Sequence, residues 1–487
     1  MGSRQELIKK IIALKQSASG LKTAVFDEVI EELKQKKNGL VFDDEGKSER
    51  IIDECDSRMP ILIPDRTRTI KNDGENNILI EGDNYLSLKT LCRFNEESID
   101  VIYIDPPYNA KNYTFMYKDS FVNYDGSRHN RWLSFMDKRL RLAYSLLKQD
   151  GVMFISIDES EMANLKLLCN EIFGEDNFMV NMVVMTSLNG KQISSGFAQQ
   201  HAYCLAYRKS DKFVLNQIPL SEEELSSKYD YGRDEKGRYY VERLWKRGVG
   251  GLKSDAPTMH FPIWYNEKTD EILIDDEIEE KDKRQYVKVI PYQSKDVLGR
   301  WIWSKEKMIK EKDRLIMIRS ANRWRLYKKV YAHGEKGRKP QSLINSDLGR
   351  TELGSLELKD IMGEKSFEYP KYSLFIKYLL SLHANRNAIV LDFFAGSGTT
   401  GQAVLDLNDE DKGRRRFILC TNNENSICEE VTYPRIKTII TGKRSDGSKY
   451  SDGRKGSLYY FKTGFEDETD DPLYVKGNIF EFIDELK

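Results

Sequence analysis

The chain has 487 residues, of which 39% are hydrophobic and 32% charged, and its 77 basic and 78 acidic residues leave a formal net charge of −1. This composition excludes a largely disordered or collagen-like chain, and no apolar run approaches the roughly 18 residues that a membrane span needs. A net charge near zero neither supports nor excludes binding to nucleic acid, because such binding depends on where the basic residues lie.

The N-terminal sequence and the cysteines predict a cytoplasmic protein without a metal site. Residues 1–16 are too charged and too often interrupted for a signal peptide, and they lack a small-residue cleavage site. The six cysteines form no CxxC pair and no zinc-ligand spacing, so we expect reduced thiols. They are Cys55, Cys92, Cys169, Cys204, Cys420 and Cys428.

The first part of the chain begins with helical periodicity and then alternates between strands and helices. Residues 3–36 carry apolar and charged positions at helical spacing, which predicts a helical hairpin. Residues 77–83 and 99–105 are apolar runs typical of buried strands, and residues 84–94 between them have helical spacing. A strand, a helix and a strand within about 30 residues predict a βαβ unit of a parallel sheet.

The same alternation continues, is interrupted by a different pattern, and then returns. An amphipathic helix is predicted over 132–147 and a strand over 152–158. Residues 210–345 combine charge clusters, glycine-rich turns and short β-like runs, which predicts an inserted domain of β or mixed structure. Further on, a strand over 388–394 leads into a glycine turn, a helix and a strand over 416–420. The pattern therefore predicts an α/β fold with one insertion.

A glycine-rich motif, DFFAGSGTT, occupies residues 392–400 where the predicted strand gives way to a helix. Glycines at Gly396 and Gly398 allow the backbone to turn tightly and to approach a ligand that a Cβ would block. A Gly-x-Gly pair is also common in ordinary turns, so the motif alone does not establish a binding site. The lysine of a nucleoside triphosphate loop and the third glycine of the dinucleotide fingerprint are both absent.

A second motif, Asp105-Pro106-Pro107-Tyr108, lies at the carboxyl end of a predicted buried strand, where open α/β sheets bind ligands. Prolines donate no backbone hydrogen bond and hold a rigid turn. The carboxylate of Asp105 and a proline carbonyl can accept two N–H bonds, while the ring of Tyr108 can stack on a planar group. The motif therefore favours recognition of a planar base that carries an exocyclic amine, although a simple strand-ending turn has the same residues.

Taken together, the two motifs resemble those of the S-adenosylmethionine-dependent DNA amino-methyltransferases. Their order, with the acidic diproline motif first and the glycine motif last, resembles the β-group of adenine methyltransferases. Further segments resemble the modification subunits of type III restriction systems. These segments are residues 38–42, 80–84, 200–203, 299–304, 367–371 and 429–436.

The resemblance implies a Rossmann-like methyltransferase sheet with helices on both faces, an inserted target-recognition domain and an N-terminal helical segment. The expected domains follow the chain in five parts. They are the helical segment 1–58, the first part of the methyltransferase domain 59–209, the target-recognition insertion 210–345, the second part of the methyltransferase domain 346–465, and a C-terminal tail 466–487.

The resemblance also implies which residues bind the cofactor. In addition to the glycine turn, it points to an acidic residue near the cofactor adenine, a segment around its methionine end and a residue that bonds the ribose. The ribose residue is either Glu424 or Asn422, and Tyr372 stands where the family often has a proline. The cofactor-binding residues are expected to be Asp83, Phe367, Pro370, Lys371, Asp392, Phe394, Ala395, Gly396, Ser397, Gly398 and Glu424.

The expected chemistry is direct transfer of a methyl group from S-adenosylmethionine to an adenine that is flipped out of the duplex. The catalytic residues are expected to be Asp105, Pro106, Pro107 and Tyr108. The aromatic residues Tyr113, Phe115 and Tyr117 either line the base pocket or belong to the core. A Pro-Cys motif for attack on a ring carbon is absent, so a covalent enzyme intermediate is not expected.

Basic residues interleaved with aromatic ones in the insertion are candidates for contact with DNA. The expected DNA-binding residues are Arg323, Arg325, Lys328, Lys329 and Arg338. A second, weaker group comprises Arg233, Arg238, Arg243, Lys246 and Arg247.

The sequence thus predicts an adenine-specific DNA methyltransferase that serves as the modification subunit of a restriction-modification system. Two alternatives remain: methylation of N4 of cytosine, where the family more often has serine in place of Asp105, and a catalytically silent subunit that binds DNA and recruits a nuclease. The expected partners are double-stranded DNA, a second copy of the chain and a separately encoded restriction subunit. No membrane partner is expected.

Overall fold

The computed structural model describes residues 49–109, 125–190, 197–274, 285–292, 297–320, 322–332, 337–364, 366–468, 474–475 and 477–485. The helical hairpin predicted over 3–36 lies outside these residues. The chain divides into two compact units, one formed by residues 1–216 with 340–487 and the other by residues 217–339.

The described residues contain seventeen strands. In chain order they are β1 (Pro60–Ile70), β2 (Asn76–Glu81), β3 (Ile99–Ile104), β4 (Leu147–Ile157), β5 (Phe178–Met185), β6 (His201–Arg208), β7 (Gly232–Asp234), β8 (Gly237–Arg243), β9 (Ile263–Asn266), β10 (Glu271–Leu273), β11 (Val287–Val289), β12 (Leu315–Ser320), β13 (Arg323–Tyr331), β14 (Leu343–Ile344), β15 (Ile389–Asp392), β16 (Arg416–Thr421) and β17 (Ser457–Phe465).

Twelve α-helices accompany the strands in the part of the chain that the structure covers. They are α1 (Arg50–Ser57), α2 (Asn84–Phe94), α3 (Asp125–Leu146), α4 (Met162–Phe173), α5 (Glu222–Lys228), α6 (Lys305–Lys310), α7 (Ser346–Gly349), α8 (Thr351–Met362), α9 (Ser373–Ser381), α10 (Thr399–Asp411), α11 (Tyr433–Thr441) and α12 (Ile479–Glu485). None of these helices is long and apolar enough to cross a membrane.

The larger unit is built on a ten-stranded sheet with the order β1-β17-β2-β16-β15-β3-β4-β6-β5-β14. The six neighbouring strands from β17 to β4 are mutually parallel, whereas β6 is antiparallel to both β4 and β5, and β1 is antiparallel to β17. Parallel strands need crossover connections, which is why strands and helices alternate along this part of the sequence.

Helices cover both faces of this sheet. Successive side chains of a strand point to opposite faces of the sheet, and all six residues of β3 are buried, so both faces are covered at this strand. Helices α2, α3 and α4 contribute Leu88, Leu140 and Leu165 to one core cluster with the strands. Val404 of α10 and Ile436 of α11 are also buried but do not belong to that cluster, as expected for helices on the other face. The predicted Rossmann-like α/β fold is confirmed.

The smaller unit is rich in β-structure. It contains a three-stranded sheet with the order β10-β9-β11 and a four-stranded sheet with the order β12-β13-β8-β7. Both sheets contribute to one core, in which Ile263, Trp301 and Leu326 are almost completely buried. The two ends of the unit pair directly, since Ile218 and Arg338 exchange two backbone hydrogen bonds of 2.9 Å. The chain therefore enters and leaves this unit at adjacent points.

Candidate active site

The site begins at the carboxyl edge of the parallel strands. Strands β2, β16, β15 and β3 are consecutive neighbours in the sheet, so the residues that follow them meet at one edge. These residues include Asp83 after β2, Asn422 after β16 and Asp105 after β3, while Asp392 ends β15. The structure thus brings the two sequence motifs to adjacent strands, β3 and β15.

The glycine turn after β15 has a backbone that favours glycine at two positions. Gly396 has a φ of 48° and Gly398 a φ of 80°, in the left-handed region that residues other than glycine rarely adopt. A Cβ on Gly396 would meet the ring of Phe367 at 3.7 Å, so the two residues approach each other closely across the turn. The ring of Phe394 packs against Phe135, with a centroid distance of 6.0 Å.

A buried arginine supports the glycine turn from helix α11. The Arg435 side chain is fully buried, and its guanidinium donates to Ser397 O (3.3 Å), Ser397 Oγ (3.0 Å) and Thr399 Oγ1 (2.8 Å). It also donates to Gln402 Oε1 at 2.6 Å. Burial lowers the pKa of Arg435 to about 10, so the group remains charged at neutral pH. The turn is therefore fixed by a charged hydrogen-bond network beneath it.

No role was predicted for Arg435, although it lies in the segment 429–436, which carries part of the resemblance. The signal that could have identified it is a charged residue beside the apolar position Ile436 in an amphipathic helix. A buried guanidinium needs partners for all its donors, and the nearby turn supplies them.

Asp392 ends β15 and is buried under the same turn. Its Oδ1 accepts from Phe394 N at 3.0 Å and its Oδ2 from Thr400 Oγ1 at 2.5 Å. Burial nevertheless dominates and raises the pKa of Asp392 from 3.8 to about 7. The carboxyl thus changes charge near neutral pH.

The raised pKa of Asp392 predicts that its contribution to stability falls as the pH rises. Between about pH 4 and pH 7 the folded protein holds a proton that the unfolded chain has lost, so the free energy of unfolding decreases across this range and levels off above it. Asp392→Asn should remove this slope, and the variant should gain a few kcal/mol relative to wild type between pH 5 and pH 7.5, at about 1.4 kcal/mol per pKa unit. Urea unfolding at the two pH values measures the difference, and equal slopes in both proteins would contradict it.

The acidic diproline turn follows β3. Pro106 is buried and Pro107 is exposed, and Trp132 Nε1 donates to the Pro107 carbonyl at 2.7 Å. Among the described residues nothing donates to the Pro106 carbonyl. The Tyr108 hydroxyl donates to Asp105 Oδ1 at 2.7 Å, and burial raises the pKa of Tyr108 well above its usual range. The turn thus presents a carboxylate, a carbonyl and an aromatic ring together.

Lys371, from the segment before α9, reaches the same turn. Its Nζ lies 2.8 Å from both carboxylate oxygens of Asp105 and 2.6 Å from Tyr108 Oη. The lysine carbonyl accepts from Thr399 Oγ1 at 3.2 Å, next to the glycine turn. Lys371 therefore links the two motifs, with its backbone at the glycine turn and its ammonium on Asp105. Its neighbour Pro370 is buried.

A second buried network holds the residue that follows the diproline motif. Asn109 has a φ of 55°, and its Nδ2 donates to Glu161 Oε1 at 2.5 Å. The fully buried Glu161 side chain also lies 2.6 Å from His129 Nδ1 and accepts from Asn164 Nδ2 at 2.8 Å. Sequence reasoning missed this network because its members come from three separate elements.

Asp83 caps helix α2 at the same edge of the sheet. Its Oδ1 accepts from Tyr85 N at 2.7 Å, and its Oδ2 lies 3.8 Å from Arg139. Arg139 is fully buried and makes a bidentate pair with Glu49 at 2.9 and 2.8 Å. After β16, Asn422 is half-buried whereas the side chain of Glu424 is exposed. The aromatic residues Tyr113, Phe115 and Tyr117 lie outside the described residues.

In the smaller unit, basic and aromatic residues of β8, of the segment that follows it and of β13 line an open groove of about 540 Å³. The groove combines Arg325, from the first predicted DNA-binding group, with Arg243, Lys246 and Arg247 from the second. The Arg325 guanidinium lies 5.5 Å from the ring of Trp245, within the range of a cation–π contact. Two groups that are distant in sequence thus form one positively charged surface.

The other predicted DNA-binding residues have different surroundings. Arg323 lines an adjoining groove of about 750 Å³. Three residues are engaged in ion pairs, which reduces the charge they offer to a phosphate. These pairs are Lys328 with Glu242 (2.7 Å), Lys329 with Asp234 (2.8 Å) and Arg338 with Glu224 (3.1 Å).

The six cysteines are free thiols. In the part of the chain that the structure covers, no three His, Cys, Asp or Glu side chains are grouped to hold a metal ion.

A glycine turn and an acidic diproline turn on adjacent parallel strands define an S-adenosylmethionine-dependent amino-methyltransferase. Residues 99–432 match the sequence model of the N6_N4_Mtase family, described as DNA methylase, and the chain belongs to this family. It is a DNA methyltransferase, and its resemblance to the modification subunits of restriction systems is confirmed by its relatives.

Two relatives and one solved structure illustrate the similarity. The chain is 36% identical to the type II methyltransferase M.KpnI of Klebsiella pneumoniae over 79% of this chain and 88% of that protein. It is 33% identical to the EcoPI Mod subunit, of a type III restriction-modification enzyme from Escherichia phage P1, over 75% of this chain but only 60% of that subunit. Among solved structures, the chain is similar to the crystal structure of TTHA0409, a putative DNA modification methylase from Thermus thermophilus in complex with S-adenosyl-L-methionine. The sequence identity is 12% and the TM-score is 0.31, and the similarity covers 71% of this chain and 87% of that chain.

Proposed function

We propose that the chain methylates the exocyclic N6 of an adenine extruded from duplex DNA and acts as the modification subunit of a restriction-modification system. One observation carries the proposal: Asp105 lies at the end of β3, directly beside the strand β15 that ends at the glycine turn. An acceptor for an amine and a cradle for a methyl donor are therefore neighbours on one sheet edge.

The residues present fit S-adenosylmethionine. Gly396 has a left-handed backbone and no side chain, so a ligand can approach its backbone directly, opposite Phe367. Arg435 supports the turn from helix α11 by its hydrogen bonds to Ser397. In the proposed site, backbone groups of the turn 394–398 and the carboxylate of Asp392 hold the cofactor's methionine part. The cofactor supplies a methyl group on a positively charged sulfur. Asp83 lies toward its adenine, and Glu424 or Asn422 toward its ribose.

The diproline turn supplies the acceptors for the target base. The lone pair of an aromatic amine is delocalised into its ring, which makes the nitrogen a poor nucleophile. Two hydrogen bonds from the amine, to Asp105 and to the Pro106 carbonyl, favour a pyramidal nitrogen with an available lone pair. The ring of Tyr108 stacks on the base. These groups orient the reactants and exclude water.

The transfer forms one N–C bond and breaks one S–C bond. The methylated nitrogen then carries one proton more than the neutral product, and that proton leaves through the hydrogen bond to Asp105 and from there to water. No protein side chain forms a bond to the methyl group. Asp105 thus serves as the acceptor before transfer and as the route for the proton after it.

Methylation of N4 of cytosine is the second candidate, because that amine is chemically similar. The aspartate at position 105 favours adenine, since the family that the motif resembles more often has serine there in its cytosine-specific members. Mass analysis of nucleosides from DNA treated with the protein and S-adenosylmethionine distinguishes the two products. N6-methyl-2′-deoxyadenosine supports the proposal, and N4-methyl-2′-deoxycytidine alone would contradict it. A protein that bound DNA without transferring any methyl group would support the silent subunit.

The name of one relative supports the proposed restriction partner. The EcoPI Mod protein is a subunit of a type III restriction-modification enzyme. We place this chain in the cytoplasm, where it acts on double-stranded DNA as a homodimer together with a separately encoded restriction subunit. Size-exclusion chromatography with light scattering tests the dimer, and co-purification with the neighbouring gene product tests the restriction subunit.

Arg325→Ala is expected to weaken DNA binding more than Arg338→Ala. Within the described part of its unit Arg325 forms no ion pair, whereas Arg338 is paired with Glu224 at 3.1 Å. Removing Arg325 should lower DNA affinity roughly tenfold and reduce the salt dependence of binding by about one phosphate contact. Fluorescence anisotropy across a salt series measures both quantities. Equal losses in the two variants would show that the groove is not the DNA contact.

A further inference from the structure

We propose that Lys371 holds the place of the target amine on Asp105, competes with that amine for the carboxylate and is displaced by it. This inference rests on the proposed function and assigns Lys371 a role toward the DNA base in addition to its place beside the cofactor turn.

The geometry shows that the ammonium of Lys371 is fully used at the diproline turn. A lysine ammonium has three N–H donors, and its Nζ lies within hydrogen-bond distance of three acceptor oxygens. Two are the carboxylate oxygens of Asp105, each at 2.8 Å, and the third is Tyr108 Oη at 2.6 Å. Lys371 therefore occupies the direction from which a second nitrogen donor would approach Asp105.

The carboxylate has little capacity left for another donor. An ionised carboxylate offers about four lone-pair directions. Lys371 uses both oxygens, and the Tyr108 hydroxyl donates to Oδ1 as well. The Asp105 side chain is 27% exposed, so water cannot surround it freely. An incoming amine must therefore compete with the ammonium for the same oxygens.

The backbone of Lys371 is fixed, and part of its side chain is exposed to solvent. Its carbonyl is bound by Thr399 Oγ1, and the preceding residue packs so closely on α8 that a Cβ on Gly354 would lie 2.3 Å from Pro370 O. The lysine side chain, by contrast, is 20% exposed. A displaced ammonium can thus swing toward solvent without a change in the backbone that borders the cofactor turn.

Displacement by an amine gives the carboxylate one N–H donor from the base in place of the ammonium, beside the Tyr108 hydroxyl. A base without an amine at that position offers no replacement, so displacing Lys371 would leave the Asp105 carboxylate with the Tyr108 hydroxyl alone. Such a base has to enter against the intact ion pair. Lys371 is in this way a positioning residue that keeps Asp105 paired until an amine displaces it, and its competition lowers the affinity for that amine.

The test compares two DNA duplexes that differ only in the target amine. Both carry the sequence that the protein methylates, located by sequencing modified DNA; one has adenine at the target and the other unsubstituted purine, which lacks the amine. DNA affinity is measured by fluorescence anisotropy without cofactor for wild type, Lys371→Met and Lys371→Gln. The control is Lys377→Met. Lys377 lies on α9, six residues after Lys371, and its ion pair is with Glu410 on α10.

In the Lys371 variants the preference for adenine over purine should increase about tenfold relative to wild type, because the amine then reaches the carboxylate without competition from the ammonium. Lys377→Met should keep the wild-type ratio. A purely structural role for Lys371 would change both affinities equally and leave the ratio unaltered, which overturns the inference. The proposed function is tested separately by methyl transfer from labelled cofactor to the adenine duplex by the wild-type protein: transfer with an unaltered ratio refutes only the role of Lys371, and no transfer refutes both.

Discussion

Asp105→Asn is expected to lower the rate of methyl transfer by about 10²- to 10³-fold or more while DNA binding and cofactor binding persist. The asparagine keeps the shape of the side chain but replaces one acceptor oxygen by a donor nitrogen. That nitrogen cannot accept from the target amine, and it faces the Lys371 ammonium, which now lies 2.8 Å from both oxygens. The rate of transfer is measured with labelled S-adenosylmethionine under single-turnover conditions.

The control for this experiment is Asp137→Asn. Asp137 lies on α3 and pairs with Arg141 at 2.9 Å, so the substitution removes an ion-paired carboxylate outside the site. It should leave the rate within a factor of about two. Full activity of Asp105→Asn would remove Asp105 from the chemistry and, with it, the proposed mechanism.

Gly396→Val is expected to weaken cofactor binding by at least about 100-fold, because the side chain takes the space that the ligand needs and the φ of 48° is strained for a β-branched residue. Isothermal titration calorimetry with S-adenosylmethionine measures the affinity. In the free protein the added Cβ meets the Phe367 ring only at an ordinary contact distance of 3.7 Å, so the main effect should fall on binding.

Gly447→Val provides the matched control. Gly447 also has a positive φ, 84°, and a Cβ there would have nothing within 4 Å. The two substitutions therefore share the backbone strain but differ in their distance from the proposed ligand. Comparable losses of affinity in both variants would assign the effect to strain and contradict the cofactor site.

The edge of the sheet at which the site forms could be predicted from the sequence because it follows from a general rule. Apolar runs ending at Asp105 and Asp392 indicate parallel strands, and the carboxyl ends of parallel strands share one edge. The order of the elements could be predicted from the sequence as well.

Some element boundaries could not be predicted. Helix α3 begins at Asp125, seven residues before the apolar periodicity that starts at Trp132, since its first turns are polar. Strand β4 includes the polar residues 148–150, which carry no strand pattern.

The contacts that complete the site could not be predicted because they join distant parts of the chain. Lys371 and Asp105 are 266 residues apart, and only the folded sheet brings them together. Buried charges such as Arg435 and Glu161 were missed for the same reason, since their partners come from other elements. The basic residues of the insertion were recognised as two groups, but pairing between β8 and β13 is needed to join them into one groove.

The paired ends of the smaller unit, Ile218 and Arg338, have a consequence for the prediction that this unit recognises the DNA target. Because the chain enters and leaves this unit at adjacent points, residues 217–339 form one continuous insertion that can be exchanged as a cassette. Recombination at these two points would exchange one cassette for another without altering a strand of the catalytic sheet. New DNA sequences could thus come under methylation in one genetic step, with the chemistry carried over unchanged.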